Sequence, residues 1–252
     1  MASPRTVLAL VHGWGMHAHV FDALAAGLAH DFDVRALDLP GHGGRAVLPD
    51  NRLAAWADDL ARQLPDGATL VGWSLGGQVA LRAALDHPQR VARLVLLGAT
   101  PKFLAAEDWT HGMAAEDLDA FANALRAEPD KTLLRFLSLQ TRGMADQKTL
   151  LHALRERLSD APAASDAALA AGLAILRGTD LRADAAKLAQ PTLVVHGALD
   201  TLTPKGAGAW LAATLPQARH LEIPRAAHAP HLSHAPEVAA AIRRFVQVDA
   251  HG

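Results

Sequence analysis

The chain has 252 residues, enough for one large α/β domain with a small insertion. Half of the residues are hydrophobic, a fifth are charged and the formal net charge is −2, which excludes a disordered chain or a nucleic-acid coat. There is no cysteine, so disulfides, thiolate metal sites and a cysteine nucleophile are excluded, and a cytoplasmic protein is the expectation.

The N-terminal apolar run, Thr6 to Val11, is too short for a signal peptide or a spanning helix, so no membrane association is expected. Val7 to Val11, Val34 to Leu37, Thr69 to Val71 and Val91 to Leu97 are short apolar runs closed by glycine, proline or polar residues, the pattern of buried parallel strands. Between them, Val20 to Ala29, Leu53 to Leu64 and Gly77 to Asp86 carry apolar residues at helical spacing. That alternation predicts an α/β fold with a mostly parallel, doubly wound sheet. From about residue 102 to 189 the strand signal stops and helical periods take over, as in Ala115 to Ala127 and Lys148 to Ser159. The strand pattern resumes at Thr192 to His196 and at His220 to Ile223, and a helix from about Pro236 to Val246 closes the chain. The expected organisation is therefore a core of residues 1–101 and 190–252 with a helical lid of residues 102–189 inserted in it.

Gly72-Trp73-Ser74-Leu75-Gly76-Gly77 follows the apolar run ending at Val71 and precedes a helix. A serine hydroxyl becomes a nucleophile when its oxygen is held clear on a tight strand-to-helix turn beside a base, and such a turn needs small neighbours. Ser74 is the candidate nucleophile. Acyl transfer also needs two backbone N–H donors for the developing oxyanion. Leu75, next after the nucleophile, supplies one, and Trp14 in His12-Gly13-Trp14-Gly15 after the first strand is the candidate for the other.

In this architecture the acid and the base follow the serine in chain order, each on a loop after a late strand. Asp200, in Gly197-Ala198-Leu199-Asp200, is the preferred acid, with Asp180 and Asp184 as alternatives in the helical segment. Of 14 histidines only His228, His231 and His234 follow the last strand; His228 is the preferred base and His231 the alternative. Their spacing of three gives at best a weak metal signal, so no metal or other cofactor is expected.

Beyond the elbow, the chain resembles the pimeloyl-acyl-carrier-protein methyl ester esterases of biotin synthesis, within the α/β-hydrolase superfamily. The resemblance is carried by His12 to Gly15, Asp38 to Gly43, Gly72 to Gly77, Arg135 to Thr141, Thr179 to Arg182 and Ala226 to Pro230. It implies an α/β-hydrolase fold and a Ser74, Asp200 and His228 triad. It further implies a substrate site of Trp14, Ser74, Leu75, Phe136, Leu137, Ser138, Leu139, Gln140 and His228. Members of that family have extra N-terminal residues, so a shorter sheet edge is expected here.

The helical segment also carries Lys131, Arg135, Arg142 and Lys148 near the apolar Phe136, Leu137 and Leu139. If an acidic carrier protein delivers the acyl chain, these four bases are the expected contacts. The partner implied is an acyl carrier protein bearing a pimeloyl methyl ester, with no nucleic acid and with the enzyme a monomer. The elbow specifies a nucleophile and not an acyl group, so a general carboxylesterase, a lactonase, a C–C bond hydrolase and a non-catalytic small-ligand receptor stay open.

Overall fold

A computed structural model describes residues 5–144 and 146–248. Six strands form one sheet: β1 (Val7–Val11), β2 (Asp33–Leu37), β3 (Ala68–Trp73), β4 (Val91–Leu97), β5 (Thr192–Gly197) and β6 (Ala218–Ile223). Their order is β2-β1-β3-β4-β5-β6 and every pairing is parallel. The helices are α1 (Asp22–Leu28), α2 (Leu53–Arg62), α3 (Leu75–Asp86), α4 (Ala115–Ala127), α5 (Pro129–Gln140), α6 (Gln147–Leu158), α7 (Asp166–Gly178), α8 (Arg182–Ala185), α9 (Lys205–Thr214), α10 (Pro230–Ser233) and α11 (Ala235–Val248). Among the described residues no helix is long and apolar enough to cross a membrane.

Side chains alternate across a strand, so a sheet covered on both faces needs apolar residues at consecutive positions. In β1, Ala9 and Val11 enter one core while Leu8 and Leu10 enter the other. β4 divides the same way, Leu94 and Leu96 against Val95 and Leu97. Trp56 and Leu60 of α2, Val79 of α3 and Leu211 of α9 cover the first face; Leu24 and Leu28 of α1 and Ile242 and Phe245 of α11 cover the second.

β2 departs from the sequence expectation of a buried strand: Asp33, Arg35 and Ala36 are exposed. The sheet order explains it, because β2 is an edge strand, and the Arg35–Asp33 ion pair places charge along that edge.

The segment between β4 and β5 holds α4 to α8, with no strand among its described residues beyond isolated bridges. Its two ends meet, since Lys102 and Asp180 form a backbone bridge and Lys102 Nζ lies 2.9 Å from Asp180 Oδ2. Arg182 also binds Asp180, and these cations hold its carboxyl well below the usual range. Asp180 thus ties the neck of the segment together, and Asp184 is engaged with Arg82 and Lys187. Neither alternative acid hydrogen-bonds to the imidazole of His228.

Helix α3 begins at Leu75, two residues before the expected start at Gly77. The glycines are needed for clearance and not for the turn, because a Cβ on Gly76 would collide with the backbone oxygens of Val11 and His12. α3 therefore crosses β1 at backbone contact distance. Gly76→Ala should lower stability by about 1–3 kcal/mol through overpacking against rigid backbone; a urea midpoint equal to that of the wild type would refute this account.

Candidate active site

All six strands run the same way, so the loops after their C-terminal ends gather on one edge of the sheet. The loops after β1, β3, β5 and β6 bring His12 to Trp14, Ser74, Asp200 and His228 to that edge. Ser74 has φ +54° and ψ −119° and is the only non-glycine residue with positive φ among the described residues. A non-glycine residue held there costs about 1–3 kcal/mol, offset by the strand and helix on either side. Its N–H donates to Leu97 O at 3.0 Å, and its C=O accepts from Gly77 and Gln78, so the strained turn is bonded at both ends.

His228 Nε2 lies 2.9 Å from Ser74 Oγ, and His228 Nδ1 lies 2.8 Å from Asp200 Oδ2. An ionised carboxylate only accepts, so Nδ1 carries the proton and Nε2 accepts from the serine hydroxyl. Asp200 Oδ1 accepts from the N–H groups of Leu202 and Thr203 at 2.9 and 3.0 Å. The Thr203 hydroxyl lies 2.8 Å from Oδ2. Burial works against this carboxylate, but electrostatic attraction to His228 and the hydrogen bonds of His196 and His228 outweigh it and hold Asp200 well below the usual range. His196 is buried under Asp200, with Nε2 donating to Thr203 O at 2.7 Å. Burial pushes its imidazole down, yet Asp200 at 3.4 Å prevails and holds it above its ordinary value.

The backbone of His228 is gripped from two sides. Its N–H donates to Gln140 O of α5 at 3.2 Å, and its C=O accepts from the Trp73 indole at 2.8 Å. Sequence reasoning missed Trp73, Thr203 and His196. Only Thr203, three residues after the acid, had a local signal, as a hydroxyl able to bond back to a nearby carboxylate.

As the first residue of α3, Leu75 has an N–H with no carbonyl to meet inside the helix, next to Ser74. Gly13 packs against Ser74 so closely that a Cβ on it would lie 3.1 Å from the serine Cβ. His12 Nε2 accepts from Leu39 N–H at 3.1 Å, so Nδ1 carries the proton and donates to Gly13 O at 2.8 Å. That bond locks the Gly13–Trp14 peptide, whose N–H is the candidate oxyanion donor, because the two ends of a planar trans peptide point opposite ways. Burial and the neighbouring His42 hold His12 well below its ordinary value, so it stays neutral in this role.

A cavity of about 450 Å³ opens over Ser74 and His228. Trp14, Phe121, Phe136, Leu139 and Leu173 form apolar walls, and Lys131, Arg135 and Arg142 lie on its lining. Asp117 and Glu128 line it as well, and Glu128 pairs with Lys131 at 3.0 Å, so the rim carries both signs. Lys148 is exposed on α6 and does not line the cavity.

The expectation that residues 136–140 all line the substrate site is corrected. Phe136 and Leu139 line the cavity over Ser74; Leu137, Ser138 and Gln140 are not on its lining. Successive residues of a helix point about 100° apart, so α5 cannot turn five consecutive side chains to one cavity. Leu137 is buried in the core shared with α1 and α11, Ser138 is bonded to Gln147, and Gln140 contributes its backbone carbonyl to His228. Leu75 likewise offers backbone only, its side chain being buried in the core. His231, the alternative base, has its ring against Trp73 and Phe21 at 4.5 and 4.9 Å, away from Ser74.

The α/β-hydrolase-fold family model matches residues 6–235. The pimeloyl-[acyl-carrier protein] methyl ester esterase of Aromatoleum aromaticum is 42% identical over 96% of this chain and 99% of its own length. The enzyme of the same name from Nitrosomonas europaea is 41% identical over 90% of each chain. A crystal structure of a hydrolase from Pseudomonas aeruginosa superposes with a TM-score of 0.81 at 31% identity, covering 97% of this chain and 91% of that one.

Burial lowers the His231 imidazole to about 3, from about 6.5 in an unfolded chain. Its folded value is depressed, so its contribution is present above pH 6.5 and is lost as pH falls toward 3, where only the unfolded chain takes up the proton. His231→Leu should therefore flatten the fall in Tm between pH 7 and 4. Parallel Tm profiles for variant and wild type would exclude a neutral buried His231.

Proposed function

This chain belongs to the α/β-hydrolase family, and we propose that within it the protein hydrolyses the methyl ester of pimeloyl-acyl-carrier protein, releasing methanol, in biotin synthesis. It is a carboxylic ester hydrolase. The observation that carries the reading is the bonded series Ser74, His228, Asp200 opening onto an apolar cavity with cationic side chains on its lining. The full-length likeness to methyl ester esterases supports the choice of acyl group.

Catalysis runs in two acyl transfers. His228 Nε2 takes the hydroxyl proton of Ser74 as Oγ bonds to the ester carbonyl carbon. The electron pair moved onto the carbonyl oxygen is met by the N–H groups of Leu75 and Trp14. As the carbonyl re-forms, the bond to the methoxy oxygen breaks, His228 hands that oxygen its proton and methanol leaves. Water then gives a proton to His228 and attacks the acyl-serine; the second collapse returns the proton to Ser74 and frees the carboxylate. Asp200 keeps the imidazole oriented and stabilises its cationic form, and its own carboxylate stays ionised throughout.

Residues 102–189 serve as a lid over this centre, inserted in the core of residues 1–101 and 190–252. The methyl ester lies at Ser74 while the remainder of the acyl chain runs along Phe121, Phe136 and Leu139 toward Arg135 and Arg142. There the lid meets the acidic carrier, with Lys131 and, farther along α6, Lys148 as further contacts.

A fluorophosphonate should label Ser74 and no other residue, and Ser74→Ala should lose roughly 10⁴-fold or more in kcat on a short p-nitrophenyl ester. The same variant should fail to rescue a biotin auxotroph lacking its methyl ester esterase, and rescue by it would contradict the mechanism. Lys131→Glu with Arg135→Glu should cut kcat/KM for the carrier-bound ester at least tenfold more than for a short soluble ester. Equal losses on the two substrates would remove carrier docking from this face.

A further inference from the structure

Besides the cavity over Ser74, a second, smaller one of about 170 Å³ is lined by Gly15, Met16 and His17. Its walls are mostly apolar, with Met16, Leu133 and Leu137 of α5, Leu158 and Ala164 among its lining residues. One polar side chain faces it: His17, 2% exposed, whose two ring nitrogens have no hydrogen-bond partner among the described residues.

A single residue lines both cavities, Phe136. The periodicity of α5 explains why. Thr132, Arg135 and Leu139 face the Ser74 cavity, Leu133 and Leu137 face the second, and Phe136 lies on the boundary between those two stripes. Its ring is held edge-on to Trp14 at 5.0 Å and tilted against Phe121 at 5.7 Å, so it stands as a wall and not as a loose flap.

We propose that Phe136 is a specificity-determining partition: it ends the Ser74 cavity on this side, and the space behind it is an apolar subsite for the tail of a longer acyl group. This rests on the ester-hydrolase reading above, in which the acyl group stays joined to Ser74 through the covalent intermediate, so the walls beside Ser74 decide which carrier-free acyl chains fit. With phenylalanine in place the tail stops at the ring; with a small residue at 136 the two cavities join. Each methylene that leaves water for an apolar pocket is worth about 0.8 kcal/mol, close to fourfold in kcat/KM, so two further methylenes give more than tenfold. His17 presents the one polar side chain among the described residues lining that space, suited to a tail ending in a hydroxyl or a carbonyl.

The test is the ratio of kcat/KM for p-nitrophenyl decanoate to that for p-nitrophenyl butyrate, in the wild type, Phe136→Ala and Phe136→Ala/Ala164→Phe. Phe136→Ala should raise the ratio at least tenfold, and Ala164→Phe, which adds a ring to the lining of the second cavity, should bring it back toward the wild-type value. An unchanged ratio in Phe136→Ala overturns the partition. A gain that survives Ala164→Phe overturns the subsite, because the room would then come from the vacated ring alone. If circular dichroism shows Phe136→Ala unfolded, Phe136→Val takes its place in both comparisons. Failure of this proposal leaves short-ester hydrolysis intact, whereas failure of the ester-hydrolase reading would appear as turnover surviving Ser74→Ala.

Discussion

Most of this structure follows from holding one residue in a backbone conformation it disfavours. Ser74 at φ +54° presents its hydroxyl on the outside of a turn with no spare residue, directly between the last position of β3 and the first of α3. The turn survives because both flanking elements are among the most buried in the molecule, and because Gly76 lets α3 rest on the backbone of β1. The same close crossing sets the β1 loop, with Gly13 and Trp14, beside the serine. Ser74 and the candidate oxyanion donors thus share one packing constraint, so relaxing the turn would displace all of them together.

The electrostatics of the site are built outward from Asp200. A buried carboxylate is costly unless its oxygens are met, and here two backbone N–H groups, a threonine hydroxyl and an imidazole meet them. The carboxylate in turn gives His228 a defined tautomer, and the Gln140 carbonyl and Trp73 indole fix the backbone that carries it. On the opposite side His12, kept neutral by burial, orients the Gly13–Trp14 peptide. Two buried histidines therefore act on the site by different physics, one as a proton acceptor and the other as a brace.

The helices between β4 and β5 contribute more than cover. Helix α5 reaches the centre through its terminal carbonyl, the cavity wall through Phe136 and Leu139, and the rim through Lys131 and Arg135. Leu169 O of α7 accepts from the Trp14 indole at 2.9 Å, so the loop after β1 is tethered to the same helical layer. Size, charge and alignment at Ser74 thus depend on one layer, whose two ends are joined at the Lys102–Asp180 neck.

What the sequence determined by itself was whatever local spacing encodes. Apolar runs of strand length alternating with helical periods sufficed for the fold class, since period and burial are properties of neighbouring residues. The elbow could be read because the turn needs small residues at fixed offsets, and Asp200 and His228 could be singled out as candidates by their place after late strands. Tertiary structure decided everything that depends on distance along the chain. Which strand lies at the edge follows from sheet order, so β2, apolar enough to read as buried, is exposed. Which residues of α5 face the cavity follows from the rotation of that helix against Trp14 and the core, so Phe136 and Leu139 reach it and Leu137 does not. Trp73 at the end of β3, His196 in β5 and Thr203 on the loop after β5 reach His228 and Asp200 only when β3, β4, β5 and β6 are side by side, and no spacing within one segment can encode such a meeting.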